Sequence, residues 1–137
     1  MNLDRNQHSV YSLNYHLIMV VKYRRKVIND VISSRLRELF ERIAVPYSIT
    51  VLEWNHDIDH IHVLFKAAPR SELSKFINAY KSASSRHIKR EFPEIRSSLW
   101  QDAFWSKSFC LIGVGDIDKD VVASYIQSQG EKSHGNS

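Results

Sequence analysis

The chain of 137 residues has little cysteine, little glycine and no long apolar run, and each shortage excludes a class of protein. Its one cysteine, Cys110, allows neither an internal disulfide nor a multi-cysteine zinc site. All four glycines lie at Gly113 or later, so no glycine-rich phosphate-binding loop precedes that position. The longest apolar run, Leu17 to Val21, is far shorter than the roughly 20 residues that span a bilayer. We therefore expect a protein with no membrane partner.

The overall composition is that of one globular domain. Hydrophobic residues make up 43% of the chain and charged residues 25%, an ordinary balance for a soluble domain with a single core. We place this domain at residues 1–129 and predict a flexible polar tail at residues 130–137. The first residues carry no apolar signal core, which predicts a cytoplasmic location. A net charge of +4 is compatible with a polyanionic partner but does not identify one.

The hydrophobic periodicity predicts an α+β fold. Apolar residues at alternate positions indicate strands at residues 11–21, 47–54, 61–67 and 104–114, and helical spacing indicates three helices between and after them. The boundary residues are Asn29, Asp30 and Pro46 for the first helix, Ser71 and Pro93 for the second, and Asp116 or Asp118 for the third. This order of elements is that of a ferredoxin-like (β-α-β-β-α-β) antiparallel sheet with an additional C-terminal helix. Helices should cover one face of the sheet and leave the other available.

Two histidines begin the third predicted strand. His60 and His62 are two residues apart, so their side chains point to one face of the sheet while Ile61 points into the opposite layer. Two neutral imidazoles side by side form a natural platform for a metal ion. Asp57 and Asp59 are near enough in sequence to fix the tautomers through the second ring nitrogens. Because histidine pairs also arise by chance, the spacing alone leaves metal binding open.

The last predicted helix carries a tyrosine and a glutamine one turn apart. Tyr125 and Gln129 share one face of the helix, and the amide oxygen of Gln129 could complete a His-His-Gln ligand set. A phenol with a pKa of about 10 is a poor nucleophile near neutral pH, so a divalent cation would help mainly by polarising the phosphate under attack. Tyrosine attack would conserve the phosphodiester energy and allow strands to be rejoined without a nucleotide cofactor. A helical tyrosine is more often a packing residue, and this alternative stays open.

Basic residues gather in two places, which predicts contacts with the phosphates of a nucleic acid. The first cluster is Lys22, Arg24, Arg25 and Lys26, and the second is Lys81, Arg86, Lys89 and Arg90. Four charges within five residues would repel one another without a partner, whereas the second cluster could equally be a solvated helix face. At the start of the fourth strand we expect Phe104 or Trp105 to be exposed for stacking on unpaired bases, and we choose Trp105.

In combination, these motifs resemble the single-tyrosine (Y1) HUH transposases of the IS200/IS605 insertion sequences. The resemblance extends over about residues 11–129. It includes the Asp59-His60-Ile61-His62-Val63-Leu64 strand, the Leu99-Trp100-Gln101-Asp102-Ala103-Phe104-Trp105 segment, the Gly113-Val114-Gly115 stretch, and Tyr125 with Gln129.

The resemblance implies an enzyme that cleaves and rejoins single-stranded DNA at insertion-sequence ends. Tyr125 would attack the DNA backbone and hold the 5′ end, and His60, His62 and Gln129 would bind Mg²⁺ or Mn²⁺. The family acts as a homodimer in which the tyrosine helix of one subunit can complete the active site of the other. Its members recognise DNA hairpins as single strands.

Three alternatives remain compatible with the sequence. An RRM-like, non-catalytic nucleic-acid-binding module would use the same sheet, but it places stacking aromatics on its central strands, where this chain has histidines. A metal-dependent nuclease with a water nucleophile would not need Tyr125. A domesticated hairpin-specific nuclease would keep the chemistry but not the mobile element.

Overall fold

The computed structural model describes residues 13–131, which form a four-stranded sheet and three α-helices. The strands are β1 (Leu13–Val20), β2 (Thr50–His56), β3 (His60–Ala67) and β4 (Cys110–Gly113). The helices are α1 (Asp30–Ala44), α2 (Leu73–Glu91) and α3 (Lys119–Ser128). Within residues 13–131, none of the helices has the length and apolarity that a membrane-spanning segment requires.

The strands are arranged in the order β2-β3-β1-β4, and all neighbouring pairs are antiparallel. This arrangement confirms the ferredoxin-like prediction, including the additional C-terminal helix α3. Because β3 lies between β2 and β1, the two histidines at its start are inside the sheet and not at an edge.

One face of the sheet forms the hydrophobic core with α1 and α2. Leu17 of β1 and Val63 of β3 are fully buried on this face, and Ile61 joins them as predicted. Phe40 of α1 and Phe76 of α2 meet above the sheet, with their ring centroids 5.0 Å apart. Each such side chain stabilises the fold by roughly 1.5–3 kcal/mol when buried. This core fixes the register of the strands, and with it the residues that point to the open face.

The predicted helix boundaries are largely confirmed. The side chain of Asn29 caps α1 by accepting a hydrogen bond from the backbone N–H of Ile32 at 2.8 Å. Pro46 lies in a short 3-10 turn that directly follows α1. Of the two aspartates proposed to cap α3, Asp118 does so with its side chain. The second helix, α2, starts at Leu73, slightly later than predicted.

The fourth strand is shorter than predicted, and a strand over residues 104–114 is wrong for the first half of that range. β4 covers only Cys110–Gly113. The backbone φ of Gln101 is positive (47°), and the tight turn there directs the following chain into the core. Phe104 and Trp105 are consequently both buried, at 1% and 7% exposure, although neighbouring residues of a regular strand point to opposite faces.

Parts of two predictions lie outside the described residues. These are the predicted start of the first strand at residue 11 and residues 132–137 of the predicted tail. The first two residues of that tail are described, and Gly130 packs closely against the side chain of Arg24.

Candidate active site

The two histidines of β3 lie on the open face of the sheet, opposite the core. In the antiparallel register, Val20 of β1 pairs with His60 and Ile18 pairs with His62. Directly paired residues share a face, so His60 and His62 lie in adjacent rows beside apolar β1 side chains. Both imidazoles are half-buried. The i, i+2 spacing therefore places them side by side, as the sequence predicts.

A buried carboxylate fixes the orientation of His60. Nδ1 of His60 lies 2.8 Å from Oδ1 of Asp59, and Asp59 is only 3% exposed. The other carboxylate oxygen, Oδ2, accepts a hydrogen bond from Nε of Arg24 at 2.9 Å. With Nδ1–H donating to Asp59, the lone pair of Nε2 is left for a metal ion. Asp57, the second predicted partner, accepts a hydrogen bond from the backbone N–H of Ile58 instead.

His62 contacts a third histidine that the sequence interpretation missed. Nδ1 of His16 on β1 lies 2.8 Å from Nε2 of His62, and the ring centroids are 4.9 Å apart. Burial, and then the charges of His16 and His60, lower the pKa of His62. His62 is therefore neutral near pH 7, which a metal ligand requires. The alternation in β1 assigns His16 to the open face, but its proximity to His62 depends on the register between the strands.

The tyrosine helix α3 lies over this row of histidines. A cavity of about 450 Å³ separates α3 from the sheet, and it is lined by His16 and His62 below and by Val122 and Ile126 above. Tyr125 precedes Ile126, and its hydroxyl lies 3.0 Å from the Ser108 hydroxyl. Burial raises the pKa of Tyr125, so the phenol is protonated at neutral pH.

Gln129 directly follows the last residue of α3. It lies near the C-terminal end of β1, and His60 pairs with this same end. Gln129 lines a small cavity of about 90 Å³ together with Ser106 and Lys22. The backbone N–H of Ser106 donates to the carbonyl of Val20, and Val20 pairs with His60 on its other side. The side-chain amide of Gln129 donates to the Ser128 hydroxyl at 3.3 Å. Its amide oxygen has no hydrogen bond in that pair and can serve as a ligand.

The residues of the site fit a divalent cation, but they do not enclose one alone. Within residues 13–131, no three side chains of the types His, Cys, Asp and Glu converge on a common point. His60 and His62 each offer a ring nitrogen, and Gln129 adds a neutral amide oxygen. This set leaves several coordination positions for water and phosphate oxygens, which Mg²⁺ and Mn²⁺ prefer.

The first basic cluster divides between two roles. The guanidinium of Arg24 is bound to Asp59, while the ammonium group of Lys22 lies 5.3 Å from the ring centroid of Tyr23 and 5.6 Å from that of Trp100. Lys26 is exposed and Arg25 is half-exposed. Of these four residues, Arg24 is the one that the described part of the chain pairs with a carboxylate, and Lys22 lies over two rings, which leaves Arg25 and Lys26 available for phosphate contacts.

The second basic cluster lies mostly along one groove of α2. The groove has a volume of about 500 Å³ and is lined by Ser82, Ser85, Arg86, Lys89, Arg90 and Arg96. Lys89 donates to the carbonyl of Asp102 at 2.9 Å, while Arg86 is exposed and free to meet a phosphate. Lys81 lies apart from this groove, beside Phe104, and burial lowers its pKa.

The prediction that Trp105 is exposed is wrong. Its side chain is buried, and its indole N–H donates to the hydroxyl of Ser84 at 2.9 Å in the core beneath α2. Its ring also packs near that of Tyr80. In this conformation Trp105 stabilises the core and has no face available for stacking on a base.

The open face of the sheet lacks the aromatic platform of an RRM-like module. In the described strands, the residues that share the face of His60 and His62 are aliphatic or polar, such as Ile18 and Leu64. Tyr15, which could have served as a platform, pairs with Phe65 on the core face. Stacking of bases on the central strands is therefore disfavoured.

Comparison with known proteins identifies the family of this chain. The family model described as "Transposase IS200 like" matches residues 9–129. The ISDra2 transposase TnpA of Deinococcus radiodurans is 30% identical over 132 residues, which cover 96% of this chain and 94% of that protein.

Two solved structures share the fold. A crystal structure of a proposed transposase from Deinococcus radiodurans R1 is similar with a TM-score of 0.81 and 28% identity, over 93% of this chain and 98% of that one. The REP-associated tyrosine transposase, solved bound to a REP hairpin, has a TM-score of 0.58 and 13% identity, over 92% of this chain and 70% of that one. On the extent of the family match, this chain belongs to the IS200-like transposase family.

Proposed function

We propose that this transposase cleaves and rejoins single-stranded DNA through a covalent bond between Tyr125 and a 5′ phosphate, assisted by a divalent cation at His60, His62 and Gln129. The observation that carries the proposal is the position of α3 over the open face of the sheet. There the tyrosine helix and His62 line one cavity, and Asp59 orients the neighbouring His60.

The covalent step follows from the phenol and the phosphodiester. Oη of Tyr125 attacks the scissile phosphorus, and the bond between phosphorus and O3′ breaks. The phenolic proton is released to solvent, and the leaving O3′ takes up a proton. The products are a free 3′-hydroxyl and a 5′-phosphotyrosine. A 3′-hydroxyl from another strand then attacks the phosphotyrosine, which restores the phenol and forms the new strand.

The chain's own residues hold the groups of this reaction in place. Asp59 fixes the ring of His60, and His16 contacts the ring of His62. The Ser108 hydroxyl lies 3.0 Å from the phenolic oxygen of Tyr125 and restrains its rotation. When bound, Mg²⁺ or Mn²⁺ supplies positive charge that polarises the phosphate and offsets the charge of the leaving oxygen.

We propose a DNA hairpin with an adjoining single strand as the partner. The solved REP-associated transposase was bound to a REP hairpin, and the present chain shares its fold. The half-exposed Arg25 and the exposed Lys26 and Arg86 support contacts with phosphate groups. The buried Trp105 has no part in this interface.

We also propose that the protein acts as a homodimer, with α3 able to complete the site of the partner subunit. Within its own chain, α3 buries none of its described side chains completely. Val121 is 52% exposed and the preceding Ile117 is 38% exposed, which is unfavourable for a surface of an isolated subunit. Packing against a second copy would cover both residues.

The proposal is tested by incubating the protein with 5′-labelled and 3′-labelled single-stranded DNA that carries a hairpin from its own locus, with Mn²⁺ or Mg²⁺. We expect a covalent protein–DNA adduct on denaturing gels, retained only with the 3′-labelled strand. The adduct should disappear in Tyr125→Phe and after chelation, while the hairpin affinity of Tyr125→Phe stays within about twofold. Ser124→Ala, on the exposed side of the same helix, is the matched control and should form the adduct.

Other outcomes identify the alternatives. Cleavage by Tyr125→Phe without any adduct would show a nuclease that uses water. Hairpin binding without cleavage by the parent protein would show a recognition module. Cleavage without rejoining would favour a hairpin-specific nuclease.

A further inference from the structure

We infer that Arg24 is a positioning residue, which couples His60 to the end of the tyrosine helix instead of binding DNA phosphate. The inference rests on the proposed function, because it gives Arg24 a role toward the two ligands His60 and Gln129. It separates Arg24 from Arg25 and Lys26, its neighbours in the same basic cluster.

The first observation is a chain of charged hydrogen bonds from Arg24 to His60. Nε of Arg24 lies 2.9 Å from Oδ2 of Asp59, and Oδ1 of Asp59 lies 2.8 Å from Nδ1 of His60. The side chain of Asp59 is 4% exposed and that of Arg24 is 40% exposed. A carboxylate buried this deeply needs a charged partner, and the structure provides Arg24 for it. Without Arg24, Asp59 would lose the charged partner and the hydrogen bond that hold its carboxylate beside His60.

The second observation is the contact between Arg24 and Gly130. A Cβ atom added at Gly130 would lie 2.8 Å from Cδ of Arg24 and 3.4 Å from its Cγ. Gly130 directly follows Gln129, and its backbone N–H donates to the carbonyl of Gln127 at 3.0 Å. The aliphatic part of Arg24 therefore supports the end of α3, at a distance that only glycine permits without displacement.

The third observation is the backbone that directs Arg24 inward. Arg24 has a positive φ of 54°, an unfavourable conformation for a residue with a side chain. Hydrogen bonds from the backbone N–H of Arg24 to Val21 (2.7 Å) and of Lys22 to Phe104 (2.8 Å) hold the loop in this shape. The fold thus maintains a strained turn whose side chain contacts both Asp59 and Gly130. Such strain is typical of functional sites.

Through these contacts, the side chain of Arg24 positions two of the proposed metal ligands. Its guanidinium orients His60 through Asp59, and its aliphatic part supports the residue after Gln129. Loss of Arg24 should therefore weaken metal binding more than DNA binding. Outer-shell partners of metal ligands typically contribute roughly 10–100-fold to metal affinity.

The experiment compares Arg24→Met, Arg24→Lys and Gly130→Ala with the control Arg25→Met in the full chain. Mn²⁺ affinity is measured by electron paramagnetic resonance titration, and hairpin affinity is measured at two salt concentrations. We expect Arg24→Met to lose roughly tenfold or more in Mn²⁺ affinity and to keep the salt dependence of DNA binding. Arg24→Lys should recover part of this loss, and Gly130→Ala should reproduce part of it. Arg25→Met should show the reverse pattern, with normal Mn²⁺ affinity and a smaller salt slope.

A second readout does not need metal or activity. Long-range ¹H–¹⁵N spectra should show His60 in the single tautomer with hydrogen on Nδ1, and a mixture of tautomers in Arg24→Met. Thermal unfolding shows whether Arg24→Met folds. If it does not fold, the Mn²⁺ affinity of Gly130→Ala decides whether the inference holds. The inference is overturned if Arg24→Met keeps both the Mn²⁺ affinity and the tautomer, or if it loses only DNA affinity. If the parent forms no Tyr125 adduct, the proposed function fails, and the tautomer of His60 still tests the positioning role.

Discussion

Each of the two metal-ligating histidines proposed here is held by a different kind of neighbour. His60 is held by the carboxylate of Asp59, and His62 by the imidazole of His16. A carboxylate accepts only, so it fixes one tautomer of His60. An imidazole can donate or accept, so His16 holds the ring of His62 without fixing which nitrogen carries the proton.

We predict that His16 contributes to metal affinity through this contact. His16→Ala removes the partner of His62 and should weaken Mn²⁺ binding by roughly tenfold, the lower end of the range for such neighbours. His16→Gln can still hydrogen-bond His62 and should restore most of the affinity. Calorimetric titration with Mn²⁺ measures the affinity of both variants. Tighter binding by His16→Ala would mean that His16 competes with the metal for His62.

For individual residues, the sequence predicted those positions that depend only on local spacing in the chain. His60, His62 and Asp59 are close in the chain, and strand geometry alone places them. The proximity of His16 to His62 depends on a pairing 46 residues apart in the chain, which no local pattern specifies. The predicted exposure of Trp105 was wrong for a related reason, because its burial depends on a turn at Gln101 that departs from strand geometry.

The two core helices are joined by an ion pair on their surface. Nε and Nη2 of Arg35 on α1 lie 2.8 Å and 3.0 Å from the two carboxylate oxygens of Glu91 at the end of α2. The hydrogen bonds from Arg35, followed by that from His87, lower the pKa of Glu91. This two-point contact fixes the ends of both helices relative to each other.

We predict that Glu91→Gln destabilises the protein by about 0.5–1 kcal/mol at pH 7, the range of a partly exposed pair. Because the folded-state pKa of Glu91 is depressed, this contribution is fully present above the ordinary carboxyl pKa. It is lost as the pH falls through the lowered folded pKa. Urea unfolding of the parent and the variant at several pH values measures this contribution to the free energy of unfolding. Glu38→Gln, whose carboxylate is more exposed and 3.4 Å from Arg35, is the control and should have a smaller effect. A constant difference down to pH 2 would contradict the assignment.

Among the elements, those with a continuous pattern were predicted and the irregular ones were not. α1 and α2 have long apolar stripes, and β3 alternates strictly, so each was found within a few residues. The segment before β4 has adjacent apolar residues, which a periodicity argument interprets as strand. In the structure, two 3-10 turns and a positive φ at Gln101 come just before this segment, and the segment itself forms only an isolated bridge between Trp105 and Val21.

In the molecule as a whole, one face of the sheet forms the core and the other carries the proposed active site. α1 and α2 cover the core face, while the histidines, α3 and the cavity between them lie on the other. The order of the elements was enough to predict this division. The sequence could not show how loosely α3 packs, because its apolar stripe resembles that of a buried helix although Val121 is 52% exposed.

We predict that Val121 contributes to a dimer interface. Val121→Asp introduces a charge into an apolar surface and should weaken self-association at least tenfold, as measured by sedimentation equilibrium. Since α3 lies outside the core formed with α1 and α2, the variant should unfold at nearly the same temperature. Gln127→Glu, on the same helix, is the control. A parent protein that is monomeric at micromolar concentration would contradict the homodimer.

The most direct test of the central claim is to identify the atom that joins protein to DNA. After reaction with hairpin-bearing single-stranded DNA and Mn²⁺, the adduct is digested with protease and nuclease and sequenced by tandem mass spectrometry. Our account predicts a nucleotide 5′ phosphate on the peptide that contains Tyr125, and a free 3′-hydroxyl on the released strand. A phosphate attached to any other residue, or a 3′-phosphotyrosine, would contradict it.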